Sequence, residues 1–339
     1  MAPAQGAPAP APGRAPVRKA APAPPPVEPA AKSAPAATAK TPPRPAPSNP
    51  AAGTEGTFSD QVSVAWILVP VTVRSRSGFV RGLDKNDFEM RVDGQPVRFP
   101  DFEPRGEVPW SIVFLQDLSG SMAVGGRLDS SREAILQFLD GAKFGDEFAL
   151  ASFAGSTTAV DVPFTEDQQP LRETLAGWEA YGRTALHDAV AMLPRITGES
   201  RNLKRAAVLI TDGVDNASRI TPAQARDLVR QAELPVYVLG LESGDPSVVS
   251  PEGQKLYRYA DVLNLLASLT GGRYFSIHGP DELKEACATI ADELRYQYVL
   301  GFETRPTGEN RFRPIWVSVK KRDVIVNARK GYKGTSPAP

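Results

Sequence analysis

Three short segments of this chain set oxygen-bearing side chains beside apolar runs. Ser111-Ile-Val-Phe-Leu115 leads into Gln116-Asp117-Leu118-Ser119-Gly120-Ser121-Met122. Gly182-Arg183-Thr184 opens the stretch Ala185 to Ala189, and Ala207-Val-Leu-Ile-Thr211 ends in Asp212-Gly213. Asp117, Ser119, Ser121, Thr184 and Asp212 together offer two carboxylates and three hydroxyls. A donor set made wholly of oxygen suits the hard cations Mg²⁺, Mn²⁺ or Ca²⁺ and not soft metals. Two carboxylates only neutralise a dication and hydroxyls donate weakly, so such an ion keeps an affinity for one further anion, such as an Asp or Glu side chain of a partner protein. Each segment alone is weak: Asp-x-Ser-x-Ser arises readily by chance, and Thr184 can equally serve as the N-cap of the helix that follows it.

Around these segments apolar β-like runs alternate with helical patterns. Strands are predicted at Ser111 to Leu115, Glu147 to Phe153, Ala206 to Ile210 and Val236 to Leu241, with helices near Leu128 to Leu139, Ala185 to Leu193 and Pro222 to Ala232. Alternation of this kind predicts right-handed βαβ units, hence a doubly wound, mostly parallel α/β sheet with helices on both faces. Ligands of such sheets bind beyond the carboxyl ends of the strands, where the strand order reverses. Asp117, Ser119, Ser121 and Asp212 all follow predicted strands, so one crevice can gather them.

The flanks read differently. From Gln61 to Phe102 the apolar period is 2, with Val62, Val64 and Trp66 alternating, and with Phe88, Met90 and Val92 set against Val97 and Phe99 across Asp93-Gly94, a strong hairpin signal. The pattern returns at Tyr296 to Phe302, Ile315 to Val319 and Val324 to Ala328, the last two joined at Lys320-Lys-Arg-Asp323. Because domain termini usually lie close together, the two flanks are expected to complete one small β domain. The expected organisation is an Ala/Pro-rich tail over 1–57, the first part of the β domain over 58–106, the α/β domain over 107–295, the remaining strands over 296–334 and a disordered end over 335–339. Sixteen of the 33 prolines fall in residues 1–50. That composition has little to bury and favours an extended polyproline tether.

Composition narrows the function. The chain carries 39 basic and 39 acidic residues, with no concentrated basic face of the kind that displaces counterions from phosphate, so nucleic acid is not an expected partner. One cysteine, Cys287, rules out an internal disulfide or a thiolate zinc cage, and two histidines are too few for a zinc-enzyme site. No apolar run approaches the roughly 20 residues of a membrane span. A basic-then-apolar leader is also missing from the start of the sequence.

Other features take plainer readings. His187 is a packing or helix-surface histidine before it is a general base, and His278 lies in a loop. Asp215 and Asn216 read as turn-formers, and Ser121 lacks the glycine spacing of a nucleophile elbow. The basic residues Lys320, Lys321, Arg322, Arg329, Lys330 and Lys333 solvate a hairpin and shield an edge strand, with an acidic surface as the alternative partner.

In order and spacing the three segments resemble the von Willebrand factor type A (VWA) domain, whose metal-ion-dependent adhesion site uses Asp-x-Ser-x-Ser, a distant threonine and a distant aspartate. All five positions match, over about residues 107–295. The resemblance implies that Asp117, Ser119 and Ser121 form the first motif, Thr184 the second and Asp212 the third, with the ion's last position left for water or a partner's carboxylate. The flanks are similar to the VWFA-related proteins common in Acidobacteria and similar bacteria, through Gly78-Phe-Val-Arg-Gly82-Leu83, Asp87-Phe88, Val92-Asp93-Gly94, Tyr298-Val-Leu-Gly301-Phe302 and Ala328-Arg-Lys-Gly331-Tyr332. Such proteins are usually exported, which implies a secreted, periplasmic or cell-surface location, with the cytoplasm as the alternative. The expected function is a non-enzymatic, metal-dependent protein-binding or adhesion module. The alternatives are a metal-dependent hydrolase and a domain whose ion is purely structural.

Overall fold

The alternating apolar runs lie side by side in one six-stranded sheet. A computed structural model describes residues 65–104, 108–230, 234–241, 247–249, 255–304 and 311–334. In spatial order the sheet consists of Tyr274–Ile277, Val236–Leu241, Lys204–Thr211, Trp110–Asp117, Glu147–Ala154 and Thr157–Thr165. All neighbours are parallel except the last pair. Every residue of Trp110–Asp117, Glu147–Ala154 and Val236–Leu241 is buried, which is why these strands read as unbroken apolar runs rather than alternating ones.

Helices cover both faces. Arg127–Asp140, Gln168–Gly177 and Pro280–Arg295 place Leu128, Phe138, Leu171, Leu283 and Ile290 on one core. Leu186–Ala191, Leu193–Thr197, Pro222–Val229 and Tyr259–Thr270 place Leu186, Ile196, Val229 and Leu263 on the other. Cys287 is buried on the first of these faces, and burial pushes its thiol up to about 12, so at neutral pH it is an inert packing group.

The flanking strands pair with each other across most of the chain's length. Ala65–Ser75 runs antiparallel to Tyr298–Thr304, with Ile67 opposite Phe302 and Val69 opposite Leu300, and to Ile325–Ala328 on its other side. A second sheet orders Gly331–Lys333, Phe312–Val319, Phe88–Val92 and Gln95–Pro96. Val69, Val71, Phe88, Tyr298, Phe302, Ile315 and Tyr332 share one core. Asp93 and Gly94 both hold positive φ, 52° and 79°, the backbone that a two-residue hairpin with right-handed strand twist demands. The described residues of the flanks and of the α/β part form one compact unit.

Three local expectations change. The helix expected from Ala185 to Leu193 is two, Leu186–Ala191 and Leu193–Thr197, because Pro194 cannot donate to the preceding turn. Lys320 to Asp323 joins strands that diverge: Phe312–Val319 pairs with Phe88–Val92, whereas Ile325–Ala328 pairs with Ala65–Ser75. The helices Gln168–Gly177 and Tyr259–Thr270 were not expected at all. The Ala/Pro-rich tail, Val62 and Val64, and residues 335–339 lie outside the described residues. Among the described residues no helix is long and apolar enough to cross a membrane.

Candidate metal centre

Trp110–Asp117 is central, with Glu147–Ala154 on one side and Lys204–Thr211 on the other. The chain leaves it in one direction and returns on the opposite side, so the carboxyl ends of Trp110–Asp117 and Lys204–Thr211 flank the crevice where strand order reverses. Asp117 ends the first strand and Asp212 follows the second.

Asp117 is wholly buried. Its Oδ1 accepts the Ser119 backbone N–H at 2.8 Å and its Oδ2 accepts the Thr211 hydroxyl at 2.6 Å. The Ser119 and Ser121 hydroxyl oxygens stand 3.1 Å apart. Ser119, Thr184 and Asp212 are buried as well. Burial pushes the Asp117 carboxyl up to about 6, against the hydrogen bonds from Thr211 and Ser119, and the charge of Asp212 adds to the rise. Two carboxylates thus share a desolvated crevice. Among the described residues the cation at this crevice is Arg127, whose guanidinium lies 3.9 Å from Asp212 and donates to the Ser121 carbonyl at 3.0 Å.

Backbone hydrogen bonds stitch the three loops together. Tyr181 N–H donates to the Leu118 carbonyl at 2.6 Å, Gly120 N–H to Gly182 at 3.1 Å, and Gly155 N–H to Arg183 at 2.6 Å. The third loop holds the second: Asn216 and Ala217 N–H groups both donate to the Thr184 carbonyl, and Thr184 N–H donates to Asn216 Oδ1 at 2.9 Å. Thr184 is not the N-cap. That position belongs to Ala185, with no side-chain cap bond, so helix capping does not consume the Thr184 hydroxyl. Asp117, Ser119 and Ser121 are linked directly, Asp212 joins them through Arg127, and the loop that carries Thr184 is tied to the first loop by the Gly120–Gly182 hydrogen bond.

Four neighbours were not singled out as site residues from sequence: Thr211, Arg127, Asn216 and Asp215. Asp215 is more than a turn-former. Burial raises its carboxyl, but hydrogen bonds from His187 and Ser218 overcome that and hold it well below the ordinary carboxylate range. His187 Nδ1 sits 3.0 Å from Asp215 Oδ2, while its buried Nε2 has no hydrogen-bond partner among the described residues. Shielded from water, that nitrogen is poorly placed to act on a substrate in the crevice. His278 lies in an exposed loop beside Glu282.

Gly213 fixes the third loop. Its φ is +82°, and a Cβ there would lie 3.1 Å from Leu263 Cδ1. Gly213→Ala is expected to cost about 1–3 kcal/mol, read as a lower urea midpoint with unchanged slope.

Residues 112–214 match the family model of the von Willebrand factor type A domain. The chain carries a type A domain. The matched segment runs from the first motif to Asp212-Gly213, spanning all three loops of the crevice. Among relatives, the chain is 30% identical over 165 residues to inter-alpha-trypsin inhibitor heavy chain H3 of Pongo abelii, across 44% of this chain and 18% of that protein. It thus spans under a fifth of that relative's length. It is 24% identical over 230 residues to an uncharacterised protein of Borreliella burgdorferi, covering 63% of this chain and 62% of the other. Among solved structures, an aerotolerance-related membrane protein of Bacteroides fragilis aligns with TM-score 0.43 and 22% identity, over 54% of this chain and 98% of that one. Type A domains typically mediate protein–protein interaction or adhesion. Among the described residues of this type A domain, no three His, Cys, Asp or Glu side chains group as metal ligands.

Proposed function

We propose that this protein is a metal-dependent binding module in which Asp117, Ser119, Ser121, Thr184 and Asp212 hold one divalent cation, Mg²⁺ or alternatively Mn²⁺ or Ca²⁺. The observation that carries this reading is the buried Asp117 carboxyl beside Asp212, with the Ser119 and Ser121 hydroxyls and the Arg127 guanidinium around them. A like-charged, desolvated pair gains from a cation, and a hard dication is what carboxylates and hydroxyls satisfy. Bound there, the ion supplies Lewis acidity toward one more oxygen ligand. The partner is a protein presenting an Asp or Glu carboxylate to it.

The hydrolase alternative finds less support, because His187 points its Nδ1 at Asp215 and buries its Nε2. We propose no enzymatic activity. Export to the periplasm, cell surface or medium is the proposed location, with the Ala/Pro-rich first fifty residues as a spacer and the strands over 58–106 and 296–334 as a small β domain presenting the type A domain.

Calorimetric titration of Mg²⁺ and Mn²⁺ into chelator-stripped protein tests the site. One-site binding is expected for the wild type and none for Asp117→Ala. Equal heats from both proteins, or none from the wild type at about 10 mM metal, overturn the assignment.

A further inference from the structure

The sheet that holds Phe88–Val92 buries one face and leaves the other open. Phe88, Met90 and Val92 are buried, whereas Glu89 and Arg91 alternate with them outward. Pro96 and Trp316 stand opposite Arg91 on its two sides, both exposed, Trp316 at 68%. Val97 N–H donates to the Met90 carbonyl at 2.9 Å, which carries the alternation on, so Arg98 is exposed between half-buried Val97 and buried Phe99. Lys320 N–H donates to the Asp87 carbonyl at 2.9 Å and sets exposed Lys320 two residues along from Glu89. Glu89, Arg91, Pro96, Arg98, Pro100 and Lys320 line a cavity of about 730 Å³. Lys85 joins them, its Nζ donating to the Pro100 carbonyl at 2.8 Å.

Four cations, Lys85, Arg91, Arg98 and Lys320, thus meet the single carboxylate of Glu89 at this cavity, and among the described residues none of the four is in an ion pair. Like charges gathered on one sheet face repel one another, and a complementary anionic surface relieves that repulsion. The spacing says which kind. Successive outward rows of a sheet lie two strand residues apart, roughly 7 Å. That is also the interval between side chains on one side of an extended peptide.

We propose that this face binds an extended acidic segment of a partner protein, with Asp or Glu at alternate positions toward Arg91, Arg98 and Lys320 and apolar contact on Pro96 and Trp316. Exposed tryptophan and arginine side by side are the residue types that anchor protein interfaces. Glu89, in the middle of the face, opposes the denser charge of phosphate chains. The contact needs no metal ion, so it stands or falls independently of the crevice.

The test is fluorescence anisotropy of a dye-labelled peptide of four Glu-Thr repeats, titrated with the full chain at low salt. A chelator is present so that no cation in the crevice captures a carboxylate. Saturable binding is expected, weakening as salt is raised. A peptide of four Glu followed by four Thr should bind at least about threefold more weakly, and Gln-Thr repeats should not bind. The double variant Arg91→Gln, Arg98→Gln should weaken the Glu-Thr peptide at least about fivefold. Both side chains are exposed, so the variant should fold, which an unchanged melting temperature checks. No saturation up to about 1 mM protein, equal affinity for the two acidic peptides, or unchanged affinity in the double variant overturns the proposal. So does displacement of the peptide by tripolyphosphate or phosphatidylglycerol vesicles at lower concentration than by unlabelled peptide, which would assign the face to phosphate ligands instead.

Discussion

Metal-free Asp117→Asn protein is expected to unfold at a higher temperature than metal-free wild type at neutral pH, and to lose all stabilisation by added Mg²⁺ or Mn²⁺. Burial and the charge of Asp212 raise the folded Asp117 pKa from 3.8 to about 6. For a raised acid, the native state is favoured while the group is protonated. That contribution is complete below the unfolded value and is lost as pH rises through the folded one. The ionised carboxylate therefore costs the metal-free fold up to about 3 kcal/mol at neutral pH. Asparagine keeps the shape and can still accept from Ser119 N–H, but it gives up the bond from the Thr211 hydroxyl, which returns roughly 1 kcal/mol of the gain. A rise of about 2–6 °C should remain. The advantage should open as pH climbs from about 4 to 6 and stay constant above that. Saturating metal should reverse the order, since the cation rewards the same negative charge that the empty crevice penalises. Thermal melts of both proteins across pH, with and without metal, read all of this. A wild type more stable than the variant at every pH without metal would show that the Asp117 charge is not under strain.

Arg295→Ala should destabilise the protein by about 3–5 kcal/mol. Arg295 ends the helix Pro280–Arg295 and reaches Asp146 Oδ2 at 2.5 Å, with the Asp146 side chain fully buried. Its guanidinium also stacks 3.5 Å over the Trp110 ring. Asp146 keeps hydrogen bonds from Trp110 N–H and Lys143 N–H, but after truncation its charge is buried without a counterion. Urea unfolding should show the midpoint falling with the slope unchanged. Adding Asp146→Asn to Arg295→Ala should recover much of the loss, because the stranded charge is then gone. Additive losses in the double variant would place the cost in the Trp110 stacking instead. This ion pair anchors the last helix where the chain turns into the strand Tyr298–Thr304, so the same variant should loosen the junction between the α/β sheet and the flanking strands.

Arg127 neutralises Asp212 only from 3.9 Å, and Gly120 packs against Gly182, where an added Cβ would lie 3.4 Å from its carbonyl oxygen. The close approach of backbone to backbone brings the second loop to the first, so main-chain contacts hold the crevice together.

Local pattern decided more of this protein than chemistry did. The parallel sheet was legible because strands buried on both faces become unbroken apolar runs, as at Ile112 to Leu115 and Val208 to Ile210, and because helical periods separate them. The Asp93-Gly94 turn was legible because few residue pairs accept positive φ twice. The five oxygen-bearing side chains proposed as donors stood out in the sequence only as residue types and spacings. Tertiary structure alone decided that Asp117 is desolvated beside Asp212, that Ala185 rather than Thr184 caps its helix, and that Thr211, Arg127 and Asn216 attend the crevice. Each of these depends on which loops meet, and a sequence carries no distance between residues a hundred positions apart. The same holds for the strands on either side of Lys320 to Asp323, which alternate alike yet join different sheets. Lys204 is the extreme case: on paper an unremarkable surface-type residue between Leu203 and Arg205, in the fold an ammonium buried without a hydrogen-bond partner among the described residues.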